Sequence, residues 1–217
     1  MSRKEHKEIP DLNIFMMCKK LDESALCELS DDFYVRTCRK DEFDIWASFP
    51  FDTEEDIKQY RNFMVDYFNT TYANKGDLFY HKCLFVCDKN DKPIATCFVW
   101  KSYDEFNAIH WFKTLKGYEG LGIGRALLSI VMKSLKPEDY PIYLHTQPAS
   151  YRAIKLYSDF GFGILTDPSY GDRTNDIEEC LPILEEQIPK EYFKKLKFTK
   201  APQHFKKSVN SSNTRQF

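Results

Sequence analysis

The residues of this chain best suited to chemistry lie in Gly117-Tyr118-Glu119-Gly120-Leu121-Gly122-Ile123-Gly124-Arg125-Ala126-Leu127-Leu128. Gly120, Gly122 and Gly124 alternate, which removes side chains where a backbone must come close to another body. An apolar segment, 108–115, leads in, and a strongly amphipathic helix leads out. The first amides of that helix lack intrahelical partners. With the positive end of the helix dipole they form a site for an anion, most naturally a phosphate. No Gly-Lys-Ser or Gly-Lys-Thr closes the loop, as a nucleotide P-loop requires. Arg125 stands where a dinucleotide-binding Gly-x-Gly-x-x-Gly would place its last glycine. A glycine-rich turn with no ligand is the alternative reading of the same residues.

Glu119-Gly120-Leu121-Gly122-Ile123-Gly124 resembles the pyrophosphate-binding motif of the GNAT N-acetyltransferases, Gln/Arg-x-x-Gly-x-Gly/Ala, with Glu119 at the first position. Downstream, the segment from Ser150 to Phe162 resembles that family's Asn-x-x-Ala-x-x-Leu-Tyr-x-x-x-Gly-Phe, with Ser150 at the Asn position. The resemblance extends from Phe33 to Leu184. It implies an α/β chain with the GNAT fold: one domain, with a mixed, twisted sheet flanked by helices on both faces. Acetyl-CoA would wedge between two splayed central strands. Glu119, Gly120, Leu121, Gly122, Ile123, Gly124 and Arg125, with Ser150 and Ala153, would hold it, and a backbone amide near Phe112-Lys113-Thr114 would meet the acyl carbonyl.

The reaction implied is direct acetyl transfer to an amine in a ternary complex. It needs an unprotonated amine, a donor for the developing oxyanion and an acid for the leaving thiolate. Tyr157 takes the place of the family's acid; an aromatic core residue is the plainer reading. His110 and His145, with a reference pKa near 6.5, are the candidate bases. A buried structural role is the alternative for His110. Two other classes stay open: a CoA-binding sensor or scaffold without catalysis, and a nucleotide-dependent transferase. The acceptor is unnamed. Asp52-Thr53-Glu54-Glu55-Asp56 and Asp104-Glu105 would suit a cationic amine, or are simply solvated.

The rest of the chain must position these groups. Its 217 residues, 42% hydrophobic and 16% aromatic, can bury a substantial core as a single folded unit. Residues 1–30 read as an extension packed on the core, 31–185 as the acetyltransferase domain, and 186–217 as a basic helix running into a disordered tail. A net charge of −2 gives no argument for nucleic acid or an anionic membrane. No eighteen-residue apolar run and no signal-peptide core is present, so a soluble, cytoplasmic protein is expected. The seven cysteines, an odd number without a Cys-x-x-Cys pair, fit a reducing compartment, and no His/Cys spacing suits zinc. A homodimer is left open.

Strands are expected over 33–38, 83–87, 94–100, 108–115, 140–146, 162–165 and 180–184; residues 14–18 read as strand or helix. Unbroken apolar strands imply a sheet covered on both faces. Helices are expected over 40–48, from 52 or 53 to 74, after the glycine loop to Pro137, and from 150 to 160. In the second helix Ile57, Tyr60, Met64, Tyr67 and Phe68 share one face. That face, with Phe49-Pro50-Phe51, is core or the wall of an acceptor pocket.

Overall fold

A computed structural model describes residues 9–212 and 215–216. In chain order, β1 (Ile14–Cys18) and β2 (Tyr34–Thr37) precede α1 (Phe43–Ser48), α2 (Glu54–Thr71) and α3 (Leu78–Lys82). Then come β3 (Leu84–Cys87), β4 (Pro93–Ser102) and β5 (Phe106–Thr114), the helix α4 (Ile123–Lys133), β6 (Ile142–Thr146), α5 (Tyr151–Asp159) and β7 (Phe162–Leu165). The chain continues through a small hairpin, β8 (Ser169–Tyr170) and β9 (Arg173–Thr174), to α6 (Ile177–Gln187), α7 (Lys190–Phe193), β10 (Phe198–Thr199) and α8 (Gln203–Ser211).

Eight strands form one mixed sheet in the order β10-β7-β1-β6-β5-β4-β3-β2. The β5/β6 and β10/β7 pairs are parallel and the others antiparallel. Helices cover both faces, which is why the strands read as unbroken apolar runs. Alternate residues separate cleanly. Val86, Ala95, Cys97, Ile109, Ile142 and Leu144 meet α4, α5 and α6 on one face. Phe85, Phe98 and Trp100 meet Trp46, Met64 and Tyr72 from α1, α2 and the end of α2 on the other. There too Phe15, Met17 and Tyr143 meet Phe205 and Val209 of α8.

Helix starts follow local chemistry. The Thr53 hydroxyl accepts from the Asp56 amide at 3.1 Å, and Glu54, Glu55 and Asp56 fill the first turn of α2. Of the face expected to be buried on α2, Met64 is sealed but Tyr60 is 41% exposed, stacked on Phe51 with ring centroids 5.2 Å apart. Ser129, expected on the polar side of α4, is buried because the segment after β1 lies over it: its hydroxyl accepts from the Cys27 amide at 3.0 Å.

Residues 14–18 are a strand, fully buried, lying inside the sheet between β6 and β7. The strand expected over 180–184 is instead part of α6. Ile177, Cys180 and Leu184 recur at helical spacing and are buried, with Glu178 and Glu179 in the first turn. Disorder was expected from Ser208 onward. However, Phe205, Ser208 and Val209 share the buried side of α8, and the Phe205 ring stacks on Tyr143 at 4.0 Å. Asn213 and Thr214 lie outside the described residues. All seven cysteines are free thiols. No helix among the described residues is long and apolar enough to cross a membrane.

Candidate active site

The parallel strands β5 and β6 pair only at Asn107–Ile142 and Ala108–Tyr143. Beyond that point they part, for a local reason. Opposite β5, Thr96 faces Lys113 and Phe98 faces His110, so Trp111 and Phe112 together stand against Cys97. This is a β-bulge, with Trp111 at φ 51° taking the left-handed conformation. A bulge bends its strand, while β6 stays paired with β1 along all of Ile14–Cys18. The result is a wedge whose β5 wall presents backbone groups that β6 does not satisfy.

The glycine loop closes the broad end of this wedge. The Leu115 amide bonds Ile94 O at 2.9 Å, fixing where the chain leaves β5. Gly120 and Gly122 have φ of 80° and 79°, a conformation other residues adopt at a cost. Gly122 ends the loop as the residue before α4, and the first amide to find a helical acceptor is that of Ala126, on Gly122 O at 3.0 Å. The amides of Ile123, Gly124 and Arg125 are left for a ligand. Gly124 is needed for packing instead: a Cβ there would lie 3.2 Å from the Phe112 ring and 3.4 Å from Thr114 Oγ1.

The side chains around the loop point away from its amides. Glu119 is paired with Arg152 of α5 at 2.6 Å, so its carboxylate is compensated. Arg125 turns to Asp159 and to Ala25 O, tying α4 to α5. Burial alone would raise the Asp159 carboxyl, but Arg125 and Lys155 together hold it below its usual range. Leu121 is 59% exposed on the loop. Ser150 is exposed and Ala153 half-buried at the start of α5. Lys113 leaves the wedge to pair with Asp52 at 2.9 Å.

Tyr157 projects from α5 into the same side of the wedge. Its ring is buried between Phe112, 5.6 Å away between centroids, and Phe162 at 5.7 Å. The hydroxyl has no hydrogen-bond partner among the described residues. Burial raises the phenol well above its ordinary pKa, so it stays protonated.

The two histidines lie on the opposite face. Trp111 Nε1 donates to Tyr72 Oη at 2.9 Å, and Tyr72 Oη lies 2.6 Å from His110 Nδ1. Ser102 Oγ gives its one proton to Gln216 O at 3.0 Å, so His110 Nε2–H donates to Ser102 Oγ at 3.1 Å, and the neutral ring's Nδ1 is left to accept from the Tyr72 hydroxyl. The donors run in one direction, each polarising the next. His110 is 5% exposed and burial pushes it down to about 3. Its one lone pair is already occupied, which argues against the base role considered for it. His145 donates from Nε2 to Asn13 Oδ1 at 2.9 Å and is also pushed to about 3, by burial and then by the Arg173 guanidinium.

The structure thus gathers the glycine loop, Phe112, Thr114, Ala153 and Tyr157 on one side of the wedge, and places His110 and His145 on the other. Residues that sequence reasoning passed over include Tyr72 and Ser102, which hold the two ring nitrogens of His110, and Arg152, which compensates Glu119. Arg152 is legible only as one turn of helix beside a glycine loop. Two cavities, of about 640 and 600 Å³, lie elsewhere: one below Phe106, Asn107 and Pro141, the other beside the C-terminal end of α4. Among the described residues, no cluster of three or more His, Cys, Asp or Glu could hold a metal.

A family model described as the acetyltransferase (GNAT) family matches residues 38–162. No curated protein matches the chain. Among solved structures, an acetyltransferase from the GNAT family of Colwellia psychrerythraea is similar at 14% identity and a TM-score of 0.49, covering 73% of this chain and 54% of that one. A GCN5-related N-acetyltransferase-like protein from Streptococcus suis is similar at 11% identity and a TM-score of 0.49, covering 72% and 59%. A GCN5-related N-acetyltransferase from Sphaerobacter thermophilus matches at 13% identity and a TM-score of 0.43, covering 69% and 49%. This chain spans less than two thirds of the length of each.

Proposed function

The chain belongs to the acetyltransferase (GNAT) family, and from that premise we propose that it moves an acetyl group from acetyl-CoA directly to an amine acceptor. The observation that carries this reading is the wedge between β5 and β6, with unpartnered loop amides at its broad end and the free Tyr157 hydroxyl on its flank. The pyrophosphate would take the amides of Ile123, Gly124 and Arg125, with Gly120 and Gly122 giving the backbone its turn. The chemistry acetyl-CoA supplies is a thioester carbonyl open to attack by an amine. Unpaired backbone amides of β5, in the Phe112–Thr114 stretch, donate to the oxygen as charge develops there.

Tyr157 holds its proton across the physiological range and donates to the sulfur that leaves. In this reading neither His110 nor His145 takes the amine's proton, because burial makes both rings weak bases, pushed down to about 3, and Tyr72 already occupies the His110 lone pair. The proton passes to water at the open mouth. The Glu119 carboxylate is turned to Arg152 rather than to the loop amides, which supports an anion there. Seven free thiols suit a reducing cytoplasm.

The test is CoA release from acetyl-CoA over a panel of amines, comparing wild type with Tyr157→Phe. A fall of at least tenfold in kcat is expected, with the Kd for acetyl-CoA within twofold of wild type. Undiminished turnover in the variant would remove Tyr157 from the mechanism. Tight acetyl-CoA binding with no transfer to any amine would refute the transferase reading.

A further inference from the structure

Arg173, on β9, is half-buried. Its Nη1 is shut off from solvent and has no hydrogen-bond partner. No carboxylate among the described residues pairs with it. Asp172 beside it is exposed and holds Arg215 at 2.8 and 2.6 Å. Asp176 accepts from the Asn13 amide and side chain at 2.8 and 3.1 Å. Asp167 is committed to Lys206 at 2.9 Å and the Ala201 amide at 2.8 Å. Burying a cation without a partner costs several kcal/mol, and charges in that position are normally paired or hold a ligand. Burial lowers the Arg173 pKa, yet guanidinium stays charged at any working pH.

The guanidinium helps suppress protonation of His145 at the end of β6, and favours ionisation of Tyr67 on α2 and Tyr103 in the β4–β5 turn. Tyr170, its partner across the β8–β9 hairpin, has its ring 4.8 Å from Phe15, which lies 4.9 Å from His145, so the hairpin carrying Arg173 sits over the face of the sheet opposite the glycine loop, at the end of β6 that has left β5. An aromatic wall, with Tyr67 and Trp111 at 5.2 Å and 90°, stands next to it.

We propose that Arg173 binds a carboxylate on the acceptor, which makes the acceptor an amino acid or a similarly compact amino-carboxylate. The proposal rests on the acetyl-transfer reading above for the role of the wedge. A guanidinium fork matches a carboxylate with two parallel N–H···O bonds, and bound in this way it directs the nearby amine toward the parting strands.

The experiment uses the full chain saturated with CoA. N-acetylated amino acids and their C-terminal amides are titrated calorimetrically into wild type, Arg173→Gln and Arg173→Lys. The corresponding free amino acids and amides are compared as acceptors. Wild type is expected to prefer the free carboxylate at least tenfold in Kd and in KM. The preference falls below twofold in R173Q and returns in part in R173K. The acetyl-CoA Kd holds in both variants, and the urea midpoint is unchanged or higher, because an unanswered buried charge is removed. Equal binding of acids and amides by wild type, or a carboxylate preference that survives R173Q, overturns the proposal. Carboxylate-selective binding without transfer to any amine would sink the transferase reading while leaving the Arg173 site standing. Transfer without carboxylate preference would do the reverse.

Discussion

Acidification from pH 7 to pH 5 should weaken this fold through His110 in particular. Its folded pKa is about 3, against 6.5 when freely solvated. Between those values the unfolded chain binds a proton that the folded chain refuses, so stability rises with pH and is complete only above 6.5. Each pH unit inside the window costs about 1.4 kcal/mol. From pH 7 to pH 5 the loss is about 2 kcal/mol from this one ring, a large share of a typical total of roughly 5–15 kcal/mol. Carboxylates titrate mainly below this window, so they obscure it little. The comparison is with His110→Gln, which keeps a donor and an acceptor for Ser102 and Tyr72 but cannot titrate. Urea unfolding followed by tryptophan fluorescence at both pH values gives the answer. Wild type should lose about 2 kcal/mol more than the variant across the interval. Equal losses would show that His110 is not held neutral by burial, and the one-way chain from Trp111 to Gln216 would fall with it.

Two further substitutions probe the architecture. Gly122→Ala meets no steric obstacle but forces a side chain into φ 79°. A strain of about 1 kcal/mol should re-aim the first amides of α4 and weaken acetyl-CoA binding about fivefold by calorimetry. An unchanged Kd would mean those amides do not hold the ligand. Phe205→Ala removes the ring stacked on Tyr143 and should lower unfolding free energy by about 3–5 kcal/mol in urea titration. A loss below 1 kcal/mol would show that α8 merely lies against the sheet.

The glycine loop and α4 were readable because both signals are local: alternating glycines, then an apolar stripe at helical spacing. The same holds for α5 and for β3 to β6. The strand β1 was ambiguous because five apolar residues fit either period, and only β6 and β7, far along the chain, decide between them. In α6 the run Cys180-Leu181-Pro182-Ile183-Leu184 imitates a buried strand. The helical spacing of Ile177, Cys180 and Leu184 becomes visible only in a longer window. The wedge itself could not be read. It depends on a bulge at Trp111, and the left-handed backbone there carries no glycine to mark it. His110 and His145 illustrate a different limit. Their residue type suggests proton transfer, but burial and hydrogen-bond direction decide whether a lone pair is free. Arg173 gave no signal, because a single arginine in a polar hairpin looks like any solvated charge until its neighbours are known.

The placement of β1 governs the order in which the molecule can be assembled. Both neighbours that complete its hydrogen bonds lie far downstream in the chain; Asn13 and His145, which meet across it, are 132 residues apart. Until β6 and β7 exist, Ile14–Cys18 is an apolar segment without a ladder, and closing so long a loop is a slow step. The family-matched stretch, 38–162, lacks that strand altogether and would leave β6 with a bare edge. Ile14–Cys18 therefore cannot complete its ladder before β6 and β7 are present. Since β6 forms one wall of the wedge, that wall is braced only when β1 has met it.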